Sequence, residues 1–146
     1  MLMHKINLDS LSQKEQYKLL SASIVPRPIA WITTINSNKT INLAPFSFFS
    51  IVSNQIPLIS ISINRKDTVL KDTAENILRT KEAVIHIPSI NDLESMNATA
   101  ASHPKNQSEL DLINYNLLKS SSIQTPALKE PKIRLETKLY QHIEIK

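Results

Sequence analysis

The chain has 146 residues, 41% hydrophobic and 21% charged, and its 17 Lys and Arg against 13 Asp and Glu give a formal net charge of +4. It contains no Cys and no Gly. That excludes disulfides, thiolate chemistry and Cys-ligated metals, and also a Walker loop or a G-x-G-x-x-G dinucleotide turn.

One domain over residues 1–146 is expected at this length. No apolar run reaches a membrane span, and Met1-Leu2-Met3-His4-Lys5 has no signal-peptide apolar region, so the cytoplasm is the expected compartment. The basic residues are dispersed, which argues against nucleic acid as a partner but suits a local anion site. Without Gly, any phosphate must be held by side chains and helix N-termini, and positive-φ positions are expected to fall to Asn or Asp. His4, His86, His103 and His142 show no metal-ligand spacing. No nucleophile elbow can form without Gly. No catalytic side chain is assigned; an enzyme of this composition would leave its chemistry to a cofactor.

In chain order, residues 9–20 read as a helix capped by Ser10 or Ser12, with Tyr17, Leu19 and Leu20 on its apolar side. Pro26-Arg27-Pro28 forces an extended path. Ile29 to Ile35 is a β-branched strand, Asn36-Ser37-Asn38-Lys39 a turn, and Thr40 to Leu43 the start of the returning strand. The stretch Ile41 to Ser50 holds all three Phe residues and a Pro. Pro45 cannot donate to a ladder, so it marks an edge, a bulge or the point where the chain leaves the sheet. Freed polar groups beside Phe side chains suit a flat, partly polar aromatic cofactor; a core strand ending in an irregular turn satisfies the same residues.

Leu58 to Ile63 alternates apolar with Ser60 and Ser62, a strand with one core face and one small polar face, open either to solvent or to a close neighbour. Lys71-Asp72-Thr73 opens a helix, with Asp72 as expected N-cap and Glu75 as its capping-box partner. A cation and a hydroxyl at a helix N-terminus make either an ordinary cap or a phosphate site without Gly. Ala83 to Ile87 is a strand whose His86 reads as a paired core histidine. Ser89 to Ala101 reads as a helix capped by Ser89 or Asn91, with Leu93, Met96 and Ala100 inward. Glu109 to Leu118 is ambiguous, Ser120-Ser121-Ser122 is linker-like, and Lys132 to Ile145 alternates as a strand.

Three pieces then resemble one family in order and spacing: Pro26-Arg27-Pro28-Ile29-Ala30-Trp31-Ile32-Thr33-Thr34, Asn42-Leu43-Ala44-Pro45-Phe46-Ser47-Phe48-Phe49, and Lys71-Asp72-Thr73 with Asn76-Ile77. They resemble the flavin reductase-like, FMN-binding split-barrel proteins, the flavoredoxin group. The resemblance implies a mainly β fold with peripheral helices, an FMN-binding split β-barrel, assembled as a homodimer with FMN near the interface. It implies Thr33, Asn42, Ala44, Pro45, Ser47, Phe48 and Ser50 for the ring and ribityl chain, and Arg65, Lys71 and Thr73 for the phosphate. It implies an oxidoreductase moving electrons from NAD(P)H through flavin to an acceptor; a non-enzymatic FMN carrier and a dimeric domain that has lost its cofactor are the alternatives. The family usually has Gly in the 36–39 turn and often Asn at the position of His86. Its members continue beyond the equivalent of Lys146, so this chain is expected to lack C-terminal strands.

Overall fold

The computed structural model describes residues 3–101, 103, 104 and 107–145. Among the described residues eight strands and three α-helices follow one another as α1 (Gln13–Ser23), β1 (Ala30–Ile35), β2 (Ile41–Phe46), β3 (Phe49–Ile51), β4 (Ile59–Ile61), α2 (Asp72–Thr80), β5 (Glu82–Ile87), α3 (Leu93–Ala98), β6 (Leu117–Leu118), β7 (Ala127–Leu128) and β8 (Ile133–Lys138). A four-stranded sheet in the order β2-β1-β5-β8 is the frame, flanked by the ribbons β3–β4 and β6–β7.

Strand β1 is buried along nearly its whole length because both of its faces are covered. On one face Ala30 and Ile32 meet Phe46, Ala83 and Ile85, and Phe49, Ile59, Ile61 and Ile77 close over them. On the other, Trp31 packs with Leu43, Met96 and Leu128, and its Nε1 donates to Thr99 Oγ1 at 2.8 Å. The two-residue alternation of a strand therefore sends successive side chains into two separate cores.

The expected hairpin is present, with Ala30 opposite Phe46 and Thr34 opposite Asn42. Pro45 lies inside β2, opposite Trp31, and β2 is an edge strand. Leu43 N–H points away from β1, since it donates to Glu109 Oε2 at 2.8 Å. Pro45, two residues on, shares that outward position, so its missing N–H costs no ladder bond. Of the three roles open to Pro45, the edge is the one found; the chain leaves the sheet after Phe46.

Several boundaries differ from the sequence reading. Helix α1 begins at Gln13 because Ser12 and Glu15 form a reciprocal capping box. Lys71, not Asp72, occupies the N-cap of α2, and no side chain caps that helix; Asp72 falls on the first helical residue, where its charge still favours the dipole. The segment 89–101 breaks into a 3-10 turn at Ile90–Asp92 followed by the short α3, leaving Leu93 and Ala100 exposed while Met96 stays inside. The strand expected over 132–145 is regular only over β8. Ser120 to Ser122 is a fixed turn, not a linker: Ser121 N–H and Ser122 N–H each donate to the Glu136 carboxylate at 2.7 Å.

Among the described residues positive φ falls to no Asn, although Asp67 takes it as expected of Asn or Asp. It falls to Lys39, Asp67, Thr68 and Lys81. Lys66 and Val69 exchange both backbone hydrogen bonds at 2.9 Å, so Asp67 (φ 48) and Thr68 (φ 72) are the central pair of a two-residue turn, the geometry that favours Asn-Gly. A β-branched Thr there pays about 1–2 kcal/mol of steric strain. Thr68→Gly is expected to stabilise the fold by about 0.5–1 kcal/mol, net of the extra unfolded-chain entropy of Gly. Urea denaturation reads this as a raised midpoint at constant slope; a lowered midpoint would show that the Thr68 side chain contributes more than the strain costs.

Candidate functional site

A buried polar network fixes α2 to the hairpin. Asn76 Nδ2 donates to Thr34 Oγ1 at 3.1 Å and to Asn36 Oδ1 at 2.8 Å. Asn42 Nδ2 donates to Thr73 Oγ1 at 2.8 Å and to Thr34 Oγ1 at 3.2 Å. All five side chains are buried, so each bond replaces a desolvated polar group's lost water. The network clamps the first turn of α2 against β2, and a cleft of about 470 Å³ opens where the two meet.

Ala44, Pro45, Phe46, Val69 and Leu70 give the cleft an apolar wall. Lys66, Asp67, Lys71, Asp72, His103 and Glu109 give it charge, and Thr99, Ala100 and Ala101 close one side. Lys71 Nζ stands 5.8 Å from the centroid of the Phe46 ring. The uncapped start of α2 lies on the same cleft, so amide N–H groups and the positive helix end face it alongside Lys71. Glu109 is buried, and burial pushes its carboxyl above the usual range, against the opposing hydrogen bond from Leu43.

Of the residues expected at a cofactor, Asn42, Ala44, Pro45, Lys71 and Thr73 line this cleft together. Thr33 is buried on the opposite face of the sheet, its Oγ1 donating to Pro126 O at 2.7 Å. Ser47 and Phe48 are engaged by Arg27: its Nε donates to Ser47 Oγ at 3.4 Å and its guanidinium lies 5.9 Å from the Phe48 ring centroid. Phe48 also meets the Tyr17 ring of α1 in a tilted contact, with centroids 6.1 Å apart. Ser50 is exposed on β3. Arg65 is paired with Glu144 and donates to Thr68 O at 3.0 Å, so it does not reach the cleft wall. The 66–70 turn is part of the loop after the Leu58–Ile63 strand, which the resemblance implies at the phosphate, and it lines the cleft; His103 and Glu109 were not anticipated. They come from segments with no periodicity to mark them.

His86 is the paired core histidine expected. Nε2 accepts from Leu128 N–H at 2.8 Å, so Nδ1 carries the proton and donates to Trp31 O at 2.8 Å. Burial holds its pKa down at about 4, opposed by the Trp31 bond. Among the described residues, no cluster of His, Asp and Glu could hold a metal ion, and no helix is long and apolar enough to cross a membrane.

The chain belongs to the flavin reductase like domain family, whose model matches residues 22–146, and its fold is the split β-barrel of those proteins. It is 43% identical over 141 residues to the uncharacterized protein YwrF of Bacillus subtilis (strain 168), covering 97% of this chain and 69% of that one. It superposes on nitrilotriacetate monooxygenase component B from Bacillus cereus with a TM-score of 0.96 at 38% identity, over 100% of this chain and 72% of the other. Pseudomonas fluorescens 2-nitrobenzoate 2-nitroreductase NbaA gives 0.88 at 29% identity, over 98% and 68% respectively.

Proposed function

We propose that this chain is a flavin-dependent oxidoreductase that holds FMN in the cleft between β2 and the start of α2, takes hydride from NADH or NADPH, and passes the electrons to an acceptor. The observation that carries the reading is the joining, in one cleft, of an apolar edge-strand wall with an uncapped, Lys-bearing helix N-terminus. The residues fit the cofactor's chemistry. Ala44, Pro45 and Phe46 offer an apolar wall to the ring. Thr73 and Asn42, already bonded to one another, fix the floor between ring and phosphate. Lys71 and the free amides of α2 suit a phosphate built without Gly. The cleft volume falls within the ordinary range for cofactor sites, about 300–1,000 Å³. When bound, the flavin supplies the redox chemistry; the protein binds and orients it and shields it from water.

Assembly as a homodimer belongs to the same reading. Ile51 and Val52 are exposed at the end of β3, next to the Ser47–Ser50 segment that α1 and Arg27 hold away from the cleft. An exposed apolar edge of this kind is a surface that pairing of two copies covers.

Sedimentation velocity with FMN, followed at the flavin's visible band over a range of protein concentrations, tests both parts. The expected result is flavin moving with a species of twice the chain mass. Flavin left unsedimented would overturn the cofactor reading, and flavin carried by a single chain would overturn the dimer. Anaerobic addition of NADH or NADPH should then bleach the bound flavin. Binding without bleaching by either would replace the reductase with an electron carrier.

A further inference from the structure

We propose that Glu109 couples occupancy of the cleft to proton uptake: the arrival of the FMN phosphate protonates this carboxyl, so that FMN is held more tightly as the solution becomes more acid. The inference rests on the cleft being the FMN site, and it adds a residue and a regulation to that site.

The geometry is what makes Glu109 a candidate. The residue is 8% exposed and lines the same cleft as Lys71 and Thr73. It cannot swing away without stranding a backbone donor, because its Oε2 takes the outward N–H of Leu43 at 2.8 Å. Its neighbour Ser108 fixes the same edge by donating to Ile41 O at 2.5 Å. The carboxyl is thus built into the closure of strand β2 and must meet whatever enters the cleft.

The charges around it set the direction. His103 attracts the carboxylate and Asp72 repels it. Lys66, Asp67 and Lys71 also line the cleft, while Asp111 on its own turn and Glu94 on α3 are exposed. A phosphate monoester brings about 1.5 to 2 negative charges. Lys71 offsets part of this. The remainder shares the cleft with the buried Glu109, whose ionised form a like charge disfavours. Protonation relieves the repulsion and leaves the edge closed, since a neutral carboxyl keeps a carbonyl oxygen to accept from Leu43 N–H.

Linkage then fixes the shape of the effect. Below the carboxyl's pKa in the empty protein, Glu109 is protonated in both states and affinity is flat. Between that pKa and the higher one in the complex, the FMN Kd weakens by up to about tenfold per pH unit, and above both it levels off. The phosphate's own second ionisation, near pH 6, adds a separate dependence that E109Q retains.

Titration calorimetry of the full chain with FMN, in buffers of different ionisation enthalpy and at pH values from about 5 to 8, counts the protons directly. The wild type is expected to take up as much as about one proton per FMN more than E109Q does within the window. E109Q should bind FMN about tenfold more tightly than wild type at the alkaline end and equally at the acid end. Riboflavin, lacking the phosphate, should drive much less uptake. Equal proton counts for wild type and E109Q overturn the coupling, and equal uptake with riboflavin and FMN overturns the assignment to the phosphate. If E109Q fails to fold, a wild-type count with FMN no larger than with riboflavin overturns it alone. FMN that binds without uptake leaves the cofactor reading standing, whereas no binding at any pH overturns both.

Discussion

His86→Leu is expected to destabilise the folded chain by about 2–4 kcal/mol, the cost of a stranded buried N–H together with a lost hydrogen bond. Leucine is similar in size, so packing is nearly preserved. What goes is the bridge from Trp31 O on β1, through the imidazole on β5, to Leu128 N–H on β7. That bridge joins the central sheet to the β6–β7 ribbon. Urea denaturation at neutral pH measures the loss, and a variant within about 0.5 kcal/mol of wild type would show that water replaces both bonds without penalty.

The same side chain gives the wild type an acid-sensitive stability. The folded pKa of His86 is about 4, below the ordinary 6.5. Protons therefore bind the unfolded chain first. The contribution is complete above the unfolded value and declines as pH falls from about 6.5 toward about 4, by roughly 3 kcal/mol in all. Below that window both states carry the proton. Other groups titrate in the same range, so the measurement is the difference between the wild-type and His86→Leu stability profiles. The wild-type advantage should shrink on acidification; an advantage that stayed constant or grew would contradict the neutral, Nδ1-protonated assignment.

The sheet was legible where residue type and local spacing decide structure. The β-branched run at 30–35 and the Asn-rich turn after it specify a hairpin through local sterics alone. Pro45 pointed to an edge, a bulge or an exit from the ladder, because its missing donor is intolerable in a central strand. The cleft was legible only on the side built from these local signals. Its other side depends on Glu109 and His103, which become neighbours of β2 through folding rather than through any repeat in the chain. The buried Asn and Thr network was illegible for a related reason. Asn36 and Asn76 have the composition of surface residues, and only their mutual hydrogen bonds make burial affordable. Ser60 on β4 and Ser62 just beyond it, equally open in the sequence to solvent or to a neighbour, are exposed. The one-residue shift at the start of α2 matters functionally. With Asp72 as a cap, its carboxylate would occupy the first-turn amides. With Lys71 at that position and no side-chain cap, they remain open to a ligand.

Lys71→Ala is the test of that opening. Losing one charge-assisted contact costs about 1.5–3 kcal/mol, which corresponds to a rise of about tenfold to hundredfold in the Kd for FMN. The side chain is exposed, and its 5.8 Å approach to the Phe46 ring is worth only about 0.5–1 kcal/mol at such a site. Fold stability should therefore change little. Riboflavin carries the same ring and ribityl chain without the phosphate, so its affinity should shift by no more than about twofold. Quenching of flavin fluorescence measures both ligands on both proteins. The expected pattern is a selective loss of FMN, and raising the salt concentration should narrow the gap between wild type and variant, because an accessible ion pair is screened. Equal weakening of FMN and riboflavin would place the lysine at the ring or in the fold. An unchanged FMN affinity would mean that the amides of α2 hold the phosphate without Lys71, and the charge-based assignment would fall.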